Sequence, residues 1–244
     1  PDGVWCWKHG PSGTEYGNFV IETAKAVKEG DGDAKIAAGS IYSVYHSPGW
    51  VHDMCETGAC DYIDYITYHE YTRREKEVPN TVNYLRALLN RYNPSVKIIQ
   101  GESGSPSEPE GNGAMCRGNW SQDKQAKLLL RRLVVDLNTE VEFTSWFTTV
   151  DMSEALYGEN GNVASYLDYG YFGVLGAQFD AEGKSIGTFE PKKSYYALQN
   201  LCGLFGKTGA EPTKLPVFPM GEHYTERVFG YTVAGRELTA YGFR

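Results

Sequence analysis

Four side chains in this sequence stand where chemistry could be done. Glu102 closes a short apolar run, KIIQGE, and a Gly/Pro/Ser loop comes after it, with Gly101 and Gly104 nearby. His69 and Tyr71 close an earlier run, YIDYITYHEY, and Trp146 lies near the end of VEFTSWF. In α/β folds with parallel strands, the carboxyl ends of the strands point into the ligand site. An acid, an imidazole, a phenol and an indole at matching heights would then share one hollow. It would hold a carboxylate able to react, two groups able to hydrogen-bond to it, and an aromatic face. Each also has an ordinary explanation. Glu102 would serve in a strand-end salt bridge, His69 as a structural donor, Tyr71 as a common strand residue and Trp146 as core packing. Glu70, between His69 and Tyr71, should face away by strand alternation.

The elements that must position these residues are legible in the periodicity. Ser12-Gly-Thr-Glu15 has the shape of a capping box, with Tyr16, Phe19, Val20, Ala24 and Val27 succeeding it at helical spacing. The helix ends at EGDGDA, residues 29–34, whose Asp31/Asp33 pair reads as a Gly-rich turn rather than a calcium loop. Strands come next at 35–43, 62–71, 96–102 and 141–147. A helix with Val82, Leu85, Leu89 and Tyr92 on one face closes at Asn93-Pro94, and Ser121 caps another carrying Ala126, Leu129, Leu130, Leu133, Val134 and Leu137. The Gly/Tyr-rich stretch to about residue 188 reads as loops or a hairpin, and Pro191 opens a last helix. Alternating helices and strands with short links imply an α/β fold of parallel strands joined by right-handed crossovers. After Pro212 the aromatic and β-branched residues suggest strands of an appended sheet.

The 244 residues, 41% of them hydrophobic, suffice for one large domain or one plus a fragment. A net charge of -8 argues against nucleic acid or an anionic membrane surface as the main partner, and no apolar run approaches the length of a membrane helix. The 18 tyrosines and 5 tryptophans exceed the needs of a core and suit half-apolar, half-wet surfaces such as those that meet sugars, or a protein interface. Pro1 is not an initiator residue and no signal segment precedes the first loop, so the chain is expected to begin inside a longer product. Five cysteines leave at least one unpaired within the chain. His52, Cys55 and Cys60 match no standard zinc spacing, so a Cys55–Cys60 disulfide or two buried thiols is preferred to a metal. GESGS lacks the final glycine and the strand–elbow–helix of a serine hydrolase, and GNGAMCRGN lacks a phosphate-loop lysine. Asn119-Trp-Ser121 is a glycosylation sequon.

In four places the chain resembles the clan A glycoside hydrolases, (β/α)8 TIM barrels that include families 5 and 39. YITYHEY is similar to strand six with its His-x-Tyr, here His69 and Tyr71. IIQGESG is similar to the strand-seven Gly-Glu that carries the nucleophile, here Glu102, and FTSWF to strand eight with its sugar-platform tryptophan, here Trp146. PKKSYYALQNL resembles the opening of the final barrel helix. The opening PDGVW resembles the residues directly after the strand-four Asn-Glu, whose glutamate is the acid/base.

The resemblance implies that this chain covers about strands four to eight, residues 1–210, and enters a β-sandwich-like appendage at 211–244. It implies retaining hydrolysis of β-glycosidic bonds in oligo- or polysaccharides, with Glu102 as nucleophile. Tyr71 and His69 would hold its carboxylate, Trp146 would serve as platform, and Trp5 and Trp7 would line the leaving-group side. No metal or organic cofactor is implied, and a secreted or periplasmic location is. The acid/base glutamate would lie just before Pro1. Either another polypeptide segment completes the barrel or, as preferred here, the chain is part of a longer product. A carbohydrate-binding protein of the same fold, without turnover, is the alternative.

Overall fold

The computed structural model describes residues 10–109, 114–115, 117–139, 141–152, 170–180 and 184–205, together with four short strand segments between 212 and 243. In chain order the main elements are α1 (Gly13–Gly30), β1 (Ala37–Ile41), α2 (Pro48–Glu56), β2 (Tyr65–His69), α3 (Val78–Tyr92), β3 (Lys97–Ser103), α4 (Gln122–Leu137) and β4 (Val141–Trp146). The hairpin β5 (Leu175–Phe179) and β6 (Ser185–Pro191) and a final helix α5 (Lys193–Phe205) come after them. Both serine caps form as their sequences direct: Ser12 Oγ accepts from the Glu15 amide and Ser121 Oγ from the Lys124 amide.

Strands β1 to β4 make one parallel sheet in the order β1-β2-β3-β4. Among the described residues this sheet is open rather than a closed barrel, as four strands are too few to close. Its two faces differ. Ile66 and Tyr68 on β2 and Ile98 on β3 are buried against Val51 and Met54 of α2 and Val82, Leu85 and Leu89 of α3. Each such fully buried aliphatic side chain contributes roughly 1.5–3 kcal/mol. The alternate residues Tyr65, Thr67 and His69 remain partly exposed on the other face, and Phe143 of β4 is exposed. Beyond β4, Val150 bridges Leu175 in parallel, so the hairpin continues the edge. The later segments pair antiparallel: Thr225–Val228 with Tyr231–Ala234, and Pro212–Thr213 with Gly242–Phe243.

Two helical stripes differ from their sequence expectation. On α1 the buried positions are Gly13, Gly17, Val20 and Ala24, whereas Phe19 and Val27 are exposed. On α4 the buried face is Gln125, Leu128, Leu129, Arg132, Val135 and Asp136, and Leu137 is exposed. Polar side chains take the inner face of α4 because they hydrogen-bond to chain that passes beneath them. Cys55 and Cys60 are free, buried thiols. His52 turns away from them, its Nε2 lying 3.1 Å from the Tyr92 hydroxyl and 3.6 Å from Glu56.

Candidate active site

The carboxyl ends of β2 and β3 bring Glu102, His69 and Tyr71 together. Tyr71 donates its hydroxyl proton to Glu102 Oε1 at 2.6 Å, and His69 Nδ1 lies 3.3 Å from Oε2. The imidazole donates to Glu102 only when Nδ1 carries a proton. His69 and Glu102 keep 25% and 33% of their side-chain surface exposed, so the carboxylate is held yet open to a ligand.

Backbone irregularity aims this pair. Tyr68 pairs with Gln100, but His69 pairs with Glu102, a slip of one residue that turns Glu102 to the side of His69. The Glu70 amide then donates to the Glu102 carbonyl at 3.2 Å. Gly101 makes the slip possible: a Cβ there would collide with Thr67 Oγ1 and come within 3.1 Å of His69 Nε2. At Gly104 a Cβ would strike the Phe147 carbonyl. Both glycines make room for the protein's own chain.

A buried ion pair, Arg132 with Asp136, braces the site. Arg132 of α4 is 2% exposed, and its Nε donates to Asp136 Oδ1 and Oδ2 at 3.2 and 3.1 Å. Its remaining nitrogens reach the Glu70 carbonyl at 2.9 Å and the Tyr68 hydroxyl at 3.3 Å. The peptide linking His69 to Tyr71 is thereby tied to α4. Burial pushes the Asp136 carboxyl up, against the pull of Arg132 and of the Thr144 hydroxyl. Glu70 faces the helices, where Thr81 Oγ1 lies 3.4 Å from Oε1 and burial raises its carboxyl above the ordinary range.

The chain leaving Glu102 is fixed as firmly. Gln125 Nε2 donates to the Ser105, Phe172 and Gly173 carbonyls at 2.9, 3.3 and 3.2 Å, and Ser194 Oγ donates back to its Oε1 at 2.8 Å. Lys192, at the head of α5, donates to Asp151 Oδ1 at 2.6 Å and Ser107 Oγ at 2.9 Å. Burial pulls the Lys192 ammonium down and pushes the Asp151 carboxyl up, and each opposes the shift in the other.

An aromatic wall joins the site through Tyr71, whose ring meets Phe172 edge-on at 6.1 Å, and Phe172 meets Phe147 at 6.1 Å. Sequence reasoning points to Trp146, one residue before Phe147. Trp146 pairs with Ser103, next to Glu102, but its side chain makes no hydrogen bond or ring contact among the described residues, and its indole N–H is buried without a partner. Trp5 and Trp7 lie outside the described residues. Nothing in the sequence marks Phe172, which sits in the Gly/Tyr-rich stretch with no periodicity.

Tyr71→Phe removes the donor to Oε1 and little packing. The expected outcome is a fall on the order of 100-fold in the kcat of a reaction that runs through the Glu102 carboxylate. KM and Tm should stay nearly constant, read by steady-state kinetics and a melting curve. An equal loss through KM would mark Tyr71 as a binding residue instead.

No family model matches the chain, and no curated protein does. Solved structures with a likeness include a GH2 β-galacturonidase from Eisenbergiella tayi bound to galacturonate, with TM-score 0.49 and 14% identity, over 78% of this chain and 30% of that one. A glycoside hydrolase family 17 β-1,3-glucanosyltransferase from Rhizomucor miehei gives TM-score 0.43 and 16% identity over 74% and 59% of the two chains. An endo-laminarinase from Formosa gives TM-score 0.45 and 14% identity over 72% and 52%. The chain thus spans from under a third to about three-fifths of the length of these structures. At these scores the likeness is one of outline and assigns neither family nor reaction. No helix among the described residues is long and apolar enough to cross a membrane.

Proposed function

We propose that this chain is the carboxyl-terminal half of a (β/α)8 glycoside hydrolase that cleaves β-glycosidic bonds with retention, residues 1–210 belonging to the barrel and 211–244 opening a β-rich appendage. One observation carries the reading: Glu102 stands at the end of a parallel strand, bonded by Tyr71 and faced by His69, and still open. A strand end holds the attacking oxygen rigidly, which is what a nucleophile requires. Glu102 attacks the anomeric carbon and the aglycone leaves with a proton from a second carboxylic acid. Water then opens the resulting ester as that acid, now a base, takes its proton. The second carboxyl is the acid/base glutamate that the resemblance of PDGVW to the strand-four motif implies. The substrate is an oligo- or polysaccharide, and no metal enters the scheme.

The test is covalent capture. A 2-deoxy-2-fluoro β-glycoside carrying a good leaving group, incubated with the whole enzyme, is expected to leave one fluoroglycosyl ester on the peptide containing Glu102, read by mass spectrometry. An ester on another carboxylate, or turnover with inversion, overturns the assignment. Binding of glycans without turnover would favour the carbohydrate-binding alternative.

A further inference from the structure

Three arginines converge beside the site. The segment after β2 places Arg73 and Arg74 next to Thr72, and Arg117 approaches from the loop before α4. With Tyr71 and Met115 these residues line an open pocket of about 430 Å3 with no acidic side chain in its wall among the described residues. A protein of net charge -8 has placed three of its 23 cationic side chains here. Arg74 leans on Glu77 at 3.4 Å, but Arg73 and Arg117 have no carboxylate within ion-pair distance among the described residues. Arg73 instead lies over the Trp120 ring, 5.9 Å from its centre, which steadies the guanidinium and leaves its N–H edge available.

The position of the pocket names the ligand class. Tyr71 forms one wall of it and also donates to Glu102. Whatever occupies the pocket is therefore one aromatic ring away from the Glu102 carboxylate. We infer that this pocket is a subsite for an anionic group carried by the saccharide, a uronate carboxylate or a sulfate ester, bound by Arg73 and Arg117 with Arg74 in support. Guanidinium forks match planar or tetrahedral oxyanions with paired N–H donors. The overall negative charge does not oppose this, because screening confines the field to about 8 Å at physiological salt and leaves the local arginines dominant. The inference rests on the proposed glycosidase site and deepens it by naming the substrate class.

Binding, rather than turnover, tests it. In the whole protein with Glu102→Gln, calorimetric titration compares a β-linked glucurono-oligosaccharide, the same chain with its carboxyls reduced to alcohols, and the reduced chain bearing sulfate. The carboxylate or the sulfate form is expected to bind about 10-fold or more tightly than the neutral one at low salt, and which of them does so identifies the anion. That ratio should fall towards one in Arg73→Gln/Arg117→Gln and, in the unsubstituted pocket, as salt rises. Equal affinity for the neutral chain, or a ratio that survives the double substitution, overturns the subsite. If the ratio holds and no glycoside is cleaved by the protein with Glu102 intact, the subsite stands and the hydrolase reading falls. If glycosides are cleaved and the ratio is one, the reverse holds.

Discussion

Glu102→Ala is expected to lower kcat/KM on an activated aryl β-glycoside by about 10^4-fold or more, the scale seen when a covalent nucleophile is removed. Thermal stability should hardly change. Glu102 is partly exposed, and the groups that meet its carboxylate, Tyr71 and His69, are themselves partly exposed, so deleting it strands no buried partner. Azide added to the alanine variant should restore part of the rate by entering the emptied space. It would attack the anomeric carbon as the aglycone leaves, yielding a glycosyl azide of inverted configuration. Steady-state kinetics, a melting curve and analysis of the azide product together separate the roles. A large loss of stability with activity retained would make Glu102 a structural acid.

Asp136→Ala should act in the opposite sense, on stability first. The change leaves the Arg132 guanidinium, 2% exposed, without its counter-ion, and breaking such a pair costs about 3–5 kcal/mol. Replacing both partners, as Arg132→Met with Asp136→Leu, should recover most of that loss, because two apolar side chains fill the same space without a buried charge. Denaturant unfolding of the two single variants and the double completes the cycle. Activity should not recover with stability, since the double variant still lacks the donor to the Glu70 carbonyl that ties down the segment between His69 and Tyr71. If the double variant is no more stable than the singles, the ion pair does not brace the sheet against α4.

Comparing these two sites shows what the sequence discloses. Glu102, His69 and Tyr71 are legible in it because strand periodicity and short links dictate which residues end each strand, and the ends of parallel strands share one side. The one-residue slip that turns Glu102 towards His69 leaves only Gly101 as a trace, and the collision that explains it involves Thr67, more than thirty positions earlier. The inner face of α4 escapes the pattern for a different reason. A search for apolar spacing selects Leu133 and Leu137, whereas the buried face is set by Gln125, Arg132 and Asp136, whose partners are carbonyls and hydroxyls from distant strands and loops. Hydrogen bonds between remote segments leave no local period. The same holds for the wall of Phe147 and Phe172, which meet only where the returning chain bridges Leu175 to Val150.

The Lys192 ammonium has a consequence for how the protein is made. It reaches Ser107 from 85 positions further along the chain, and Ser194 reaches Gln125 from 69. Ribosomes release a chain from its amino end, so the loop leaving Glu102 emerges long before either anchor exists. The reactive edge therefore matures late, only as α5 clears the exit tunnel, and a polypeptide released as far as Trp146 carries every strand of the parallel sheet while its business end is still unset.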